Sequence, residues 1–169
     1  MRYEIAYVSQ SGNTEKLAYG IFDKLSDKTT MITDLSHEDI TGKAEIYLLG
    51  FGVNKGTVPL SVMDALDELH GKKIIFFLTS GVEPTESYRK TIEKKLLPFI
   101  PDDCEYKGLF MCYGKWSENI LRRVQEALDE EPGNQTAMKV LEESKKATSH
   151  PNEADFSEAV KFIRHTVSR

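Results

Sequence analysis

The sequence is short of several features, and each shortage closes off a class of protein. It has two cysteines, Cys104 and Cys112, in 169 residues. They stand apart without paired spacing, so neither a disulfide framework nor a thiolate metal site is written here, and two reduced thiols in a cytoplasmic protein are expected. Long apolar runs are missing: the densest, Ile74 to Leu78, falls far short of the ~20 residues that cross a bilayer. Excess positive charge is missing too. With 22 Lys and Arg against 27 Asp and Glu, the formal net charge is −5, which argues against nucleic acid or an anionic membrane surface as the main partner. His37, His70, His150 and His165 are the only histidines and show no metal spacing. The first residues run straight into an apolar segment with no leader pattern, which fits a cytoplasmic location. No repeat, low-complexity stretch or linker interrupts the chain, so residues 1–169 are expected to form one domain with a sizeable core.

Known phosphate-handling signatures are also absent. There is no Gly-Lys-Ser/Thr for a nucleoside triphosphate, and no Gly-x-Gly-x-x-Gly for a dinucleotide. Six positions after Cys112, where a tyrosine phosphatase would carry arginine, stands Glu118. A nucleophile with its base and orienting group is nowhere apparent, so Cys112 reads as a small core or ligand-edge residue. Asp34, after the second apolar run, reads as a turn residue.

What is present is a regular alternation. Apolar runs at 3–8, 29–32, 44–49, 73–79 and 105–112 read as strands, with 73–79 the most apolar and expected to be central. Between and after them, apolar residues fall at helical spacing: Leu17, Ala18, Ile21, Phe22 and Leu25; Val62, Met63, Leu66 and Leu69; Tyr88, Ile92, Leu96 and Leu97; Ile120, Leu121, Val124 and Leu128; Phe156, Ala159, Val160, Ile163 and Val167. A polar helix is expected over 135–146. Five strands alternating with helices imply an α/β fold, a parallel sheet covered on both faces.

Between the first strand and the first helix lies Ser9-Gln10-Ser11-Gly12-Asn13-Thr14. The first N–H groups of a helix lack internal partners, and the helix dipole is positive there. A loop wrapped at that point can hold a phosphate. Ser9, Ser11 and Thr14 add hydroxyl donors, and Gly12 lets the backbone bend close. The loop has no Lys or Arg, which suits a monophosphate bound by neutral donors. The plain alternative is a helix cap, for which Ser, Thr and Asn are favoured with or without a ligand.

Ligands of open parallel sheets bind outside the carboxyl ends of the strands. That rule adds three loops: Phe51-Gly52-Val53-Asn54-Lys55-Gly56-Thr57-Val58-Pro59, Thr79-Ser80-Gly81-Val82-Glu83-Pro84, and Cys112-Tyr113-Gly114-Lys115-Trp116. Each alone could be a set of turns; together, beside a phosphate loop, they suggest a site for a flat ring.

The six-residue loop matches the pattern Ser/Thr-x-Ser/Thr-Gly-x-Thr, and on it the chain resembles the flavodoxin family. The resemblance implies a flavodoxin-like, doubly wound, five-stranded parallel sheet in order 2-1-3-4-5, of which flavodoxin is the type example. It also implies flavin mononucleotide (FMN) in the crevice between strands 1 and 3. Ser9 to Thr14 would take the phosphate. Phe51, Gly52, Val53, Asn54, Lys55, Gly56, Thr79, Ser80, Gly81, Cys112, Tyr113, Gly114 and Lys115 would surround the ring. Three further segments, Gly-Phe-x-Val-x-Lys-Gly, Phe-Met-Cys-x-Gly-Lys and His-Pro-Asn, extend the likeness to a subgroup of small flavodoxin-like proteins, similar to the component that accompanies bilirubin reductase. The chain departs from short electron-carrier flavodoxins in having Phe51 and Val53 where an inner aromatic is usual, leaving Tyr113 or Trp116 to cover a ring face. It also places two cations, Lys55 and Lys115, near the flavin. The implied role is electron transfer to a partner oxidoreductase, by a monomer or weak dimer. The alternatives are an FMN-dependent NAD(P)H reductase of quinones or similar molecules, and a non-redox module on the same fold.

Overall fold

The computed structural model describes residues 2–53 and 57–169; Asn54, Lys55 and Gly56 of the predicted second loop lie outside the described residues. Five strands form one sheet: β1 (Tyr3–Tyr7), β2 (Thr29–Asp34), β3 (Ile46–Gly52), β4 (Lys73–Ser80) and β5 (Glu105–Tyr113). All pairings are parallel and the order is β2-β1-β3-β4-β5, as the resemblance implies. Among the described residues there are six α-helices: α1 (Asn13–Leu25), α2 (Leu60–Asp67), α3 (Glu86–Leu96), α4 (Glu118–Glu130), α5 (Gln135–Ala147) and α6 (Glu153–Val167).

Strand periodicity explains why the apolar runs are continuous. Side chains alternate between the two faces of a sheet, and here both faces are covered. From β4, Ile75 and Phe77 enter one core with Ile5, Tyr7, Leu17, Ile21, Leu48, Phe156 and Ile163, under α1 and α6. Ile74, Phe76 and Leu78 enter the opposite core with Tyr47, Leu49, Val62, Leu66 and Ile92, under α2 and α3. β4 is interior as expected, but the middle place belongs to β3. The expected strand ends also shift. β1 stops at Tyr7 rather than Val8, β2 extends to Asp34, and β3 starts at Ile46 and runs on to Gly52, placing Phe51 and Gly52 on the strand.

Two segments depart from strand–helix alternation. Residues 35–45 join β2 to β3 without a helix. Glu4, a fully buried carboxylate on β1, stitches this strap to the sheet: it accepts from the Thr33 hydroxyl (3.2 Å) and from both the amide (2.9 Å) and the hydroxyl of Thr41. A buried carboxylate needs such partners, because desolvation otherwise disfavours its charge. The second departure is α4–α5, a helical hairpin inserted between β5 and α6. The chain then turns through a cis His150–Pro151 bond into α6, whose first turn is closed by a capping box of Asn152 and Asp155.

Candidate functional site

The carboxyl ends of β1, β3, β4 and β5 gather the predicted residues at one end of the sheet. The strand order reverses between β1 and β3, which leaves a crevice between the loops that diverge there.

At β1, the loop leads into α1 through Gly12, whose φ of 88° is left-handed; any residue with a Cβ is strained in that conformation. The Gly12 amide donates to Ser9 Oγ at 3.1 Å, which closes the loop on itself. Gln10, Ser11 and Gly12 are exposed, and a Cβ built on Gly12 meets nothing within 4 Å. α1 and α2 have no side-chain cap, whereas α3, α4, α5 and α6 are capped by Thr85, Ser117, Asn134 and Asn152. The residue at the N-cap, Gly12, has no side chain with which to cap the helix, and the Ser9 hydroxyl engages the Gly12 amide just before α1 begins. Thr14 is placed differently from Ser9 and Ser11: it is 2% exposed, and its hydroxyl meets that of Thr79 on β4 at 3.0 Å.

The other three loops are tied to one another. Val53 donates its amide to the Thr79 carbonyl (2.8 Å), and Gly114 donates to the Ser80 carbonyl (2.8 Å). Asn13 reaches from the start of α1 to the Lys115 carbonyl at 2.7 Å, while the Lys115 amide donates to the His150 carbonyl at 3.0 Å. The close pass of Asn13 requires glycine at 114, where a Cβ would come within 2.9 Å of Asn13 Nδ2 and 3.1 Å of Thr79 Cβ. Trp116 lies across the loop after β4, its indole N–H donating to the Gly81 carbonyl at 2.8 Å.

Not every predicted ring neighbour faces the crevice. Phe51 is buried against Phe76, edge to face at 6.4 Å, so its ring belongs to the core and offers no stacking face. Cys112 is also in the core, and burial pushes its thiol well above the ordinary range. Its side chain packs in the core. Tyr113 is held by Glu143 of α5 (3.0 Å) and packs on the His150 ring. Burial first, then the bond to Glu143, pushes its phenol up to about 12. The Lys115 side chain is exposed. Asp34 accepts from the Ser36 amide at 2.9 Å, as a turn residue. Among the described residues no group of His, Cys, Asp and Glu is arranged to hold a metal, and no helix is long and apolar enough to cross a membrane. Sequence reasoning missed Asn13 as the link between loops and His150 as a neighbour of Tyr113. Both are long-range contacts without a local signal.

Residues 4–164 match the family described as flavodoxin domain. A flavodoxin-like domain-containing protein BilS of Clostridioides difficile is 32% identical over 168 residues, spanning 98% of this chain and 96% of the relative. Among solved structures, oxidised flavodoxin 1 of Bacillus cereus aligns with a TM-score of 0.57 at 16% identity, covering 100% of this chain and 99% of that one. A flavoprotein of Lactobacillus acidophilus in complex with FMN aligns with a TM-score of 0.52 at 16% identity, over 65% of this chain and 92% of that one.

Proposed function

We propose that this chain, which belongs to the flavodoxin family, binds FMN and carries electrons to a partner oxidoreductase in the cytoplasm. The observation that carries the reading is the uncapped N-terminus of α1 behind the exposed Ser11-Gly12 turn. It presents neutral backbone and hydroxyl donors where a monophosphate is favoured by the helix dipole. The fold neighbour from Lactobacillus acidophilus, solved with FMN, supports the same ligand. FMN, when bound, supplies the one- and two-electron chemistry; the protein supplies binding, position and electrostatics.

The chain's own residues divide that work. Ser9, through the Gly12 amide, holds the loop in its open shape. Gln10, Ser11, Asn13 and Thr14 bring backbone amides, and Ser11 its hydroxyl, around the phosphate, while the Gly12 amide stays on Ser9, the Asn13 side chain on Lys115 and the Thr14 hydroxyl on Thr79. Gly52, Val53, Thr79, Ser80, Gly81 and Gly114 line the strand ends with backbone, and Trp116 and Tyr113 are the aromatics beside them. With Phe51 turned into the core, these two take the place of an inner aromatic on β3. Asn54, Lys55 and Gly56 complete the second loop in this reading. Lys115 puts one cation in the loop after β5, which favours negative charge on a reduced ring.

The test is reconstitution. Apo-protein mixed with FMN should bind one equivalent and show a shifted, structured flavin spectrum. It should show little NAD(P)H consumption unless a partner reductase or acceptor enzyme is added, and the resemblance above makes bilirubin reductase the first acceptor to try. Failure to bind FMN would leave only the non-redox module. Steady NAD(P)H turnover by the protein alone would instead make it a stand-alone reductase.

A further inference from the structure

The hairpin α4–α5 buries little of its own apolar surface. α4 carries Ile120, Leu121, Val124 and Leu128 on one side, yet none of its residues is buried. Its main packing neighbour is α5. On α5, Ala137, Ser144 and Ala147 are buried, but Met138 is 53% exposed, as Ile120 is at 43%. Leu128, Met138 and Leu141 floor an open groove of about 680 Å³ with Lys139, Glu142 and Lys145 along it. An amphipathic helix left half-covered in this way is normally completed by another surface.

Charge along the hairpin identifies that surface. The tip between the two helices is acidic, Asp129-Glu130-Glu131. The groove runs along α5 from Gln135 and Thr136 beside that tip to Lys145 near the far end, with Lys139 and Lys145 and one opposing carboxylate, Glu142, along it. Glu130, Glu131, Lys139 and Lys145 make no ion pair with the described residues. When two such hairpins lie antiparallel, the acidic tip of each meets the Lys145 end of the other's groove, and the apolar strips face one another. We infer that the hairpin is the dimerisation element of this protein: two copies pair through α4–α5 into an antiparallel four-helix bundle with two-fold symmetry. Each thirteen-residue helix is ~20 Å long, so the paired face is on the order of 400 Å² per copy. That is smaller than the standard stable interface of about 1,600 Å² in total, so the dimer is weak and concentration-dependent.

This inference is independent of the flavin reading, and its test needs no cofactor. In sedimentation equilibrium over roughly 1–500 μM, a range set for a weak interface, the mass should rise from the 19.2 kDa of one copy toward twice that. Met138→Lys should abolish the rise while leaving the helical circular dichroism intact. Two charge reversals sharpen it. One variant carries Glu130→Lys and Glu131→Lys; the other carries Lys139→Glu and Lys145→Glu. Each alone should be monomeric, because tip and groove then bear like charge. Mixed in equal amounts, they should form a heterodimer at least as tight as the parent pair, since both tip–groove contacts are restored. A parent that stays monomeric throughout, or reversals that dimerise like the parent, would overturn the inference. So would variants whose only defect is electron delivery to a partner enzyme, because the groove would then be that partner's dock.

Discussion

The two ends of the candidate site are built on opposite principles. At the proposed phosphate end, Ser11 and Gly12 are exposed and the N-cap of α1 is a glycine without a side chain, with the Gly12 amide alone held by Ser9. At the proposed ring end, the loops after β3, β4 and β5 spend their polar groups on each other, Val53 on Thr79, Gly114 on Ser80 and Trp116 on Gly81, and Tyr113 is held by Glu143 of α5. An anion needs converging donors that are free before it arrives, because each satisfied donor must first be released. A flat ring needs walls of fixed separation, and mutual hydrogen bonds between loops provide them. Asn13 and the Thr14–Thr79 pair are the bridges between the two ends.

The largest expected effect sets one end against the other. Riboflavin has the ring without the phosphate, so it can use only the ring end. Several hydrogen bonds to an anion outweigh one bond's typical 1.5–3 kcal/mol, so FMN should bind at least about a hundredfold tighter than riboflavin. Isothermal titration of apo-protein with each reads this directly, and equal affinities would mean that the α1 loop does not read a phosphate.

Breaking a bridge comes next. Thr14→Val keeps shape but leaves the buried Thr79 hydroxyl without its partner. It should cost about 1–3 kcal/mol of stability, with most of that recovered in Thr14→Val/Thr79→Val, since removing both groups leaves nothing unsatisfied. Urea unfolding of the four proteins completes the cycle. Additive losses would show that the two hydroxyls do not depend on one another.

A smaller effect separates the ends by pH. Tyr7, at the end of β1, and Tyr113, at the end of β5, are both pushed from 10 up to about 12, by burial first and then by nearby carboxylates. The unfolded chain releases these protons from about pH 10, while the folded chain keeps them until about 12. Stability is therefore fully present below pH 10 and falls as pH climbs between these values. Glu143→Gln removes a carboxylate from Tyr113 only. In an alkaline phenolate titration it should move one tyrosine back toward 10 and leave the rest; movement of none would mean that Glu143 does not hold Tyr113.

The smallest effect concerns Lys115. Its side chain is exposed, and solvent screens such charges strongly. Lys115→Met should lower the potential of bound flavin by no more than tens of millivolts, with a smaller shift at high salt. No change in a redox titration would assign this lysine to the solvated surface.

Much of this was legible in the sequence because it rests on local patterning. The run Ile74 to Leu78 reads as a strand buried on both faces, and alternation between two cores bears it out. The hydroxyl-rich turn before Leu17 marks the start of α1. Strand order was supplied by family resemblance, since parallel crossovers leave no trace in local pattern. What stayed hidden depends on which way a side chain faces in three dimensions. Phe51 sits at the right place in the chain for a stacking aromatic, but the pleat of β3 turns it into the core. Glu4 stands inside an apolar run, and its partner Thr41 comes from a segment with no regular structure. The helical period of α4 was evident and α5 was expected as a polar helix, but the exposure of their apolar side was not, because periodicity reports an apolar face without saying what covers it.

The bond from Asn13 to the Lys115 carbonyl joins residues 102 positions apart, and that separation sets an order in time. A chain emerging from the ribosome exposes its N-terminal segments first, so the turn after β1 exists long before β5 does. Its final constraint arrives only after about two thirds of the protein has been made. The turn is therefore among the last features to be tied down. Refolding experiments should show the same order: hydrogen-exchange protection in β1, β3 and β4 before any dependence of the folding rate on added ligand.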